Sequence, residues 1–364
     1  MATTGSDVAL ERLYDDFAAA GLMPLWTQRG DLMPTAPQPS AVPHVWRWAD
    51  VYPLAGRAGD LVPVGRGGER RAIAYANPGC GGEPYTTPTL WAAVQYLGPR
   101  EAAPAHRHTQ SAFRFVLEGE GTWTVVDGDP VAMRRGDLLL TAGWRWHEHH
   151  NVADAPMAWL DGLDIPLVTA LDAGFFQFGP DELTDRSTPA TSRNERLWGH
   201  PGLRPVGAAV GRTSPLMAYR WAHTDEALAA QLDLDATGQA GAAGPGHAAV
   251  RFANPATGGD ALVTLRMEMH RFAAGAASAP ASDGAGAAVT GERRVGSSVW
   301  QVFDGEGTVD LDGRPHDVAR GDVVAVPSWC PLRWRATTQL DVFMFSDAPV
   351  YEALGLTAPE GASA

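Results

Sequence analysis

Two short stretches of this chain hold histidines at spacings that suit joint chemistry. The first is Pro104-Ala105-His106-Arg107-His108-Thr109-Gln110, and the second is Trp144-Arg145-Trp146-His147-Glu148-His149-His150. Two side chains at i and i+2 of a strand project from one face. A third imidazole arriving from a later strand would close a three-nitrogen metal site with coordination positions left open. An HxH pair alone is weak evidence for a metal, so the elements around the pair must carry the case.

Those elements read as short strands. Ser111 to Glu118, Thr122 to Val126, Val131 to Met133 and Leu138 to Thr141 are apolar runs parted by Gly119-Glu120-Gly121, Asp127-Gly128-Asp129 and Gly136-Asp137. Upstream, Ala72 to Pro78 and Thr89 to Leu97 read as strands, and Trp91, Ala93 and Gln95 share one face of the latter. Residues 6 to 20 have apolar positions at helical spacing. Strands every eight to twelve residues predict a sandwich or jelly roll. The 364 residues include 41 Gly and 28 Pro, a turn-rich balance of the same meaning. A net charge of −14 offers no basic excess for nucleic acid. No run is apolar and long enough to span a membrane, no secretory pattern opens the chain, and Cys80 and Cys330 form no spacing pattern. A cytoplasmic location with no membrane or nucleic-acid partner is the expectation.

The chain repeats itself. Ala76-Asn77-Pro78 through Gly82 returns as Ala253-Asn254-Pro255 through Gly259, and Thr89-Leu90 as Thr264-Leu265. Val116-Leu117-Glu118-Gly119-Glu120-Gly121-Thr122 returns as Val302-Phe303-Asp304-Gly305-Glu306-Gly307-Thr308, and Arg135-Gly136-Asp137 as Arg320-Gly321-Asp322. One β unit therefore occurs twice. The second copy has Glu292, Arg294 and Leu332 where the first has His106, His108 and His147. A same-fold copy without the three imidazoles assigns them to chemistry and not to folding. Ala- and Gly-rich stretches at 235–249 and 273–288 read as loops or insertions.

These residues resemble the cupin family. Pro104 to His108 through Gly121 fits its first motif, and Gly136-Asp137 through His147 and Asn151 fits its second. The chain departs from the pattern in lacking a Glu shortly after His108, where Thr109-Gln110-Ser111-Ala112-Phe113 stands, and in having Ala142 and Trp144 where Pro and Gly are usual. More narrowly it is similar to the bicupin gentisate 1,2-dioxygenases and their salicylate- and 1-hydroxy-2-naphthoate-cleaving relatives, along nearly its whole length. Pro104 to Phe115, Trp144 to Asn151 and Leu160 to Pro166 carry the likeness most strongly.

The resemblance implies an all-β bicupin: 1–70 N-terminal helix and extended arm, 71–170 metal-binding cupin, 171–245 linker of loops and short helices, 246–350 degenerate second cupin, 351–364 tail. It implies Fe(II) on His106, His108 and His147, O2 and a small aromatic acid as substrates, and a homotetramer. Arg114, Gln95, Trp91, Ala93 and Asp161 would line the substrate pocket. The reaction implied is ring opening of gentisate between C1 and C2 to maleylpyruvate. Salicylate or 1-hydroxy-2-naphthoate cleavage, or acid binding without redox turnover, are the alternatives.

Within that frame the residues have chemical reasons. Ring opening needs a metal that shares electrons with O2, which favours iron over zinc. Arg114 lies six residues after His108, so parity along one strand would put it on the ligand face, where a guanidinium suits a carboxylate. His149, two past His147, is placed for proton transfer with Arg114 as the second catalytic group, and with an ordinary pKa near ~6.5. Asp161 would orient it or meet a ring hydroxyl. Ala93 in place of Gly favours the dihydroxylated acid. His270 reads as structural, and His150 as a loop residue.

Overall fold

The computed structural model describes residues 5–27, 32, 34–62, 71–179, 189–239, 243–278 and 294–357. Residues 1–38 cluster as one unit around the helix α1 (Gly5–Ala19), and residues 39–362 as another. The helix expected near residues 6 to 20 is present. No helix among the described residues is long and apolar enough to cross a membrane.

Among its described residues the larger unit holds twenty strands. In chain order they are β1 (His44–Trp46), β2 (Ala72–Ala74), β3 (Trp91–Leu97), β4 (Ala102–His108), β5 (Ala112–Glu118), β6 (Glu120–Val126), β7 (Asp129–Arg134), β8 (Leu138–Thr141), β9 (His147–Asn151), β10 (Met157–Leu163), β11 (Phe176–Phe178), β12 (Ala218–Tyr219), β13 (His247–Arg251), β14 (Arg266–Phe272), β15 (Ser298–Asp304), β16 (Glu306–Leu311), β17 (Arg314–Ala319), β18 (Val323–Val326), β19 (Leu332–Ala336) and β20 (Leu340–Ser346). Among the described residues they form four antiparallel sheets. The first barrel pairs the order β12-β8-β5-β10-β3-β2 with β11-β4-β9-β6-β7, and the second pairs β1-β18-β15-β20-β14-β13 with β17-β16-β19. The mainly β, two-cupin expectation is met.

The two barrels pack back to back through their six-stranded sheets. Alternation on β5 sends Ala112, Arg114 and Val116 inward and Phe113, Phe115 and Leu117 outward. The outward rings meet the second barrel: Phe115 stacks on Phe343 at 4.2 Å, and Phe113 meets Phe345 edge-on at 4.8 Å. Burial on both faces explains why Phe115, Val116 and Leu117 run on without polar alternation and why Arg114 is the one charged residue in the interior of the strand. Gly162, beside Phe113 on the next strand, has no room for a side chain, since a Cβ would stand 2.2 Å from that ring.

Each barrel is completed by chain that precedes the other repeat. β1 and the Trp48 start of the helix α2 (Trp48–Leu61) serve the second barrel, where β1 pairs with β18, while the body of α2 packs on β3 of the first. The short helices α3 (Ile165–Ala170) and α4 (Arg193–Trp198) follow the first barrel, and then β12 returns to it by pairing with β8, before α5 (Trp221–Ala236) packs on β13 and β14 of the second. The exchange reads as sequence: Tyr219-Arg220-Trp221-Ala222 answers Trp46-Arg47-Trp48-Ala49. Trp221 N–H donates to Asp137 and Trp48 N–H to Asp322, each at 2.9 Å. The tryptophan rings lie over Gly136 and Gly321, whose left-handed φ values of 85° and 92° suit glycine. Other contacts are reciprocal too. Thr264 donates to Asp164 while Thr89 donates to Asp347, and Arg320 pairs with Glu118 while Arg135 faces Asp304.

The segment 171–245 thus contains a 16-residue helix as well as loops and short helices. The segment 1–70 contributes β1 to the second barrel and sets α2 against β3 of the first. The expected loop at 235–249 is partly regular, since α5 runs to Ala236 and β13 starts at His247. Of the expected loop at 273–288, residues 279–288 lie outside the described ones, and in the C-terminal tail α6 (Ala348–Leu354) is followed by residues 358–364, also outside.

Candidate metal centre and substrate cavity

Histidines 106 and 108 reach one face through an irregularity. β4 pairs with β9 as Ala103↔His149 and then His106↔His147, so β4 carries one extra residue between them. Such a bulge re-aims the side chains that follow it. Without it Ala105 would stand opposite His147. Pro104 sits inside the bulge, where its missing N–H costs no ladder bond.

The three imidazoles converge. Ligand atoms of His106, His108 and His147 lie within 4.8 Å of one another, and all three residues are buried. Each Nδ1 is held by a backbone carbonyl two residues away: His106 by Pro104 at 2.9 Å, His108 by Gln110 at 2.8 Å and His147 by Arg145 at 3.0 Å. A carbonyl there selects the tautomer with the proton on Nδ1 and the lone pair on Nε2. The buried Nε2 of His147 has no hydrogen-bond partner, a state that costs about 1–3 kcal/mol unless something binds the nitrogen. Burial, then Arg114, His106 and His108, hold the His147 pKa well below the usual histidine range. The ring is neutral at physiological pH, as a metal ligand must be. Three neutral imidazoles fit a divalent transition metal.

A cavity of about 730 Å³ opens over these nitrogens. Trp91, Gln95, His106, His108, Arg114, His149 and Asp161 all line it. Ala93, fully buried between Trp91 and Gln95, lies behind the lining and opposite Asp161 on β10. Arg114 reaches the cavity by another route than the parity expectation supposed. β4 ends at His108 and β5 starts at Ala112 in the opposite sheet, so the residues between them break the alternation. Arg114 faces the histidines across the barrel because it points inward from its own strand.

The polar groups in the cavity are deeply buried. Arg114 is 3% exposed; its Nη1 donates to Thr141 Oγ1 at 2.7 Å, and its Nε stands 3.6 Å from Asp161 Oδ1. Burial pushes the Asp161 pKa up to about 6, against the pull of Arg114 and of the Trp159 indole N–H, which donates to Oδ1 at 3.0 Å. His149 Nδ1 lies 2.9 Å from Thr124 Oγ1, and burial followed by the Arg114 charge lowers its pKa well below the ordinary value expected for it. His149 is therefore a neutral imidazole. His150 is on β9 and not in a loop, with Nε2 3.0 Å from Glu148 Oε1. His270 is buried beside His247 in the second barrel, 3.0 Å apart, as a structural histidine would be.

The aromatic wall escaped the sequence reading. β11 pairs with β4, Phe176 stacks on the His106 ring at 5.3 Å, and Phe175, Phe176 and Phe178 line the cavity. Its signal is the aromatic alternation in Phe176-Gln177-Phe178 inside the segment read as linker.

The strand registers show what the second barrel holds at matching places. Arg114 pairs with Leu139 and Asp161, and Trp300 pairs with Val324 and Met344. By the same registers Thr141 matches Val326, His147 matches Leu332 and His149 matches Trp334. Trp300, Val326, Leu332, Trp334 and Met344 belong to one buried apolar cluster. The polar cavity of the first barrel is a packed core in the second. The Glu292 comparison lies outside the described residues.

Residues 93–163 match the Cupin domain family. Gentisate 1,2-dioxygenase of Streptomyces sp. is 63% identical over 347 residues, which are 95% of this chain and 94% of that protein. The 1-hydroxy-2-naphthoate 1,2-dioxygenase of Nocardioides sp. is 36% identical over 89% of this chain and 80% of its own length. The crystal structure of salicylate 1,2-dioxygenase from Pseudoaminobacter salicylatoxidans, as an adduct with gentisate, superposes with a TM-score of 0.91 at 54% identity, covering 99% of this chain and 96% of that one. Sequence and geometry agree along the length of the molecule, and the chain belongs to the family of ring-cleaving gentisate 1,2-dioxygenases and their salicylate and hydroxynaphthoate relatives.

Proposed function

We propose that this protein inserts both atoms of O2 into gentisate between C1 and C2, giving maleylpyruvate, with Fe(II) held by His106, His108 and His147. The observation that carries the reading is the buried Arg114 guanidinium, with its Nε unbonded, facing a three-imidazole site across an aromatic-walled cavity. That pairing suits a substrate with a carboxylate and a ring hydroxyl on adjacent carbons. Ferrous iron held there would relay electrons from the bound aromatic ring to O2, with no net change in its own oxidation state. His147 is neutral, and a backbone carbonyl at each Nδ1 leaves the Nε2 lone pair of all three histidines for the metal.

The remaining groups bind and orient. Arg114 takes the carboxylate through a charge-assisted contact in a water-poor setting. His149 accepts the proton of a ring hydroxyl at Nε2 when Thr124 holds the Nδ1–H. Asp161, ionised above about pH 6, receives the second hydroxyl as a hydrogen-bond acceptor. Trp91, Phe176 and Gln95 bound the ring plane, and the apolar rings exclude water. Ala93 narrows the wall behind Asp161, which favours the dihydroxylated acid over salicylate. The exposed Leu22, Met23, Leu25 and Trp26 of the N-terminal unit support a homo-oligomer, and a tetramer belongs to the same reading.

The test is oxygen uptake. Protein purified under nitrogen and loaded with Fe(II) is mixed with aerated gentisate, salicylate or 1-hydroxy-2-naphthoate. Uptake of one O2 per gentisate, with the absorbance of an opened-ring product and the highest kcat/KM of the three acids, is expected. No uptake with any of the three removes the reading.

A further inference from the structure

Arg114 has five N–H donors, and its surroundings engage them unevenly. Nη1 is bound by Thr141 Oγ1 at 2.7 Å, a short and therefore strong contact. Nε has no hydrogen-bond partner, because Asp161 Oδ1 at 3.6 Å stands beyond reach. A buried arginine and a buried aspartate on adjacent strands, directly opposite in register, would ordinarily close into a bonded pair. Here they do not, and the hydroxyl of Thr141 is on the other branch of the guanidinium.

Thr141 itself is fully buried at the end of β8 and does not line the cavity. The second barrel tests its purpose. There the triplet Arg114, Thr141 and Asp161 becomes Trp300, Val326 and Met344. The frame accepts valine, nearly the same shape, wherever there is no arginine to hold. The hydroxyl is thus present only in the barrel that has the guanidinium.

We infer that Thr141 is a positioning residue for the acid-binding arginine: its hydroxyl oxygen holds Nη1, keeps the guanidinium off Asp161 and directs the remaining N–H edge at the substrate carboxylate. The two carboxylates, that of Asp161 and that of the substrate, compete for one cation, and Thr141 sets the outcome. Without the hydroxyl the guanidinium closes the gap to Asp161, and the aromatic acid loses its partner. The inference rests on the substrate reading above.

The experiment measures gentisate binding to the ferrous holoenzyme by equilibrium dialysis under nitrogen, so that turnover does not intervene. Thr141→Val is expected to weaken binding by about tenfold, the effect of one misplaced charge-assisted hydrogen bond. Its iron content should match the parent's, and in air its KM should rise with kcat at saturation held. Thr141→Ser, which restores the oxygen, should restore binding. Parent-like binding by Thr141→Val overturns the inference, and so does a Thr141→Ser protein as weak as the valine variant. A parent protein that binds none of the three acids takes down the substrate reading, and the inference with it; that failure shows in the parent and not in the variants.

Discussion

Asp161 Oδ1 lies 3.6 Å from Arg114 Nε, close enough to feel the charge and too far to bond it. Burial therefore outweighs the neighbouring cation, and the carboxyl ionises only at about pH 6. An acid whose pKa is higher in the fold than in the unfolded chain weakens the fold once ionised. The penalty is absent below the unfolded value near ~3.9 and grows as pH climbs to about 6. Metal-free Asp161→Asn should match the parent's thermal midpoint near acid pH and exceed it above neutrality. The acidic limb of kcat/KM, set by a group titrating at about 6, should shift or vanish in the same variant. Parallel midpoint curves for the two proteins across this range would show that Asp161 does not titrate there.

The second barrel supplies a control for the metal ligands. Leu332 occupies the place of His147 and is part of a packed core. His147→Leu should remove bound iron, measured by metal analysis. The metal-free protein should be no less stable than metal-free parent, because a buried unbonded nitrogen is replaced by apolar surface. Leu332→Ala should do the reverse: iron stays, and urea unfolding loses about 2–5 kcal/mol. Retention of a full complement of iron by His147→Leu would exclude His147 from the ligand set.

Much of this was legible in the sequence, and the exceptions have physical causes. The strand pattern, the repeat and the three histidines lie in local periodicity and spacing. The site's depth does not. Parity joined Arg114 to His108 in one strand, whereas residues 109–111 carry the chain from one sheet to the other. The bulge at Pro104 leaves no composition signal, yet it decides which of Ala105 and His106 faces His147. Thr141, Thr124 and Trp159 are ordinary strand residues until their partners are known. The exchanged strands lead into the paired Arg-Trp-Ala sequences at 47–49 and 220–222. Strand pairing gives β1 and β12 to the barrel of the other repeat, while the helices after them pack on the repeat they precede.

That exchange should be unequal in energy. Arg220 makes a doubled contact with Glu195 at 2.6 and 2.7 Å and further bonds to Asp137 and the Ala132 carbonyl, with a side chain 15% exposed. Arg47, its counterpart, bonds Asp322 and the Asp317 carbonyl, but its side chain is 41% exposed. Removing Arg220 leaves two buried carboxylates without their cation, a loss on the order of 3–5 kcal/mol. Removing Arg47, whose own end is open to water, leaves one buried carboxylate, Asp322, that still accepts from the Trp48 and Ala319 N–H groups, a smaller loss of about 1–3 kcal/mol. Arg220→Ala should therefore lower the urea midpoint more than Arg47→Ala. It should also loosen the barrel that holds the histidines, because β12 and the Trp221 start of α5 brace β8, which ends at Thr141. Hydrogen exchange at the β8 amides is the direct readout: faster exchange in Arg220→Ala and parent-like rates in Arg47→Ala are expected. Equal destabilisation by the two variants would mean that the clasp works through shape alone and that charge burial adds nothing to it.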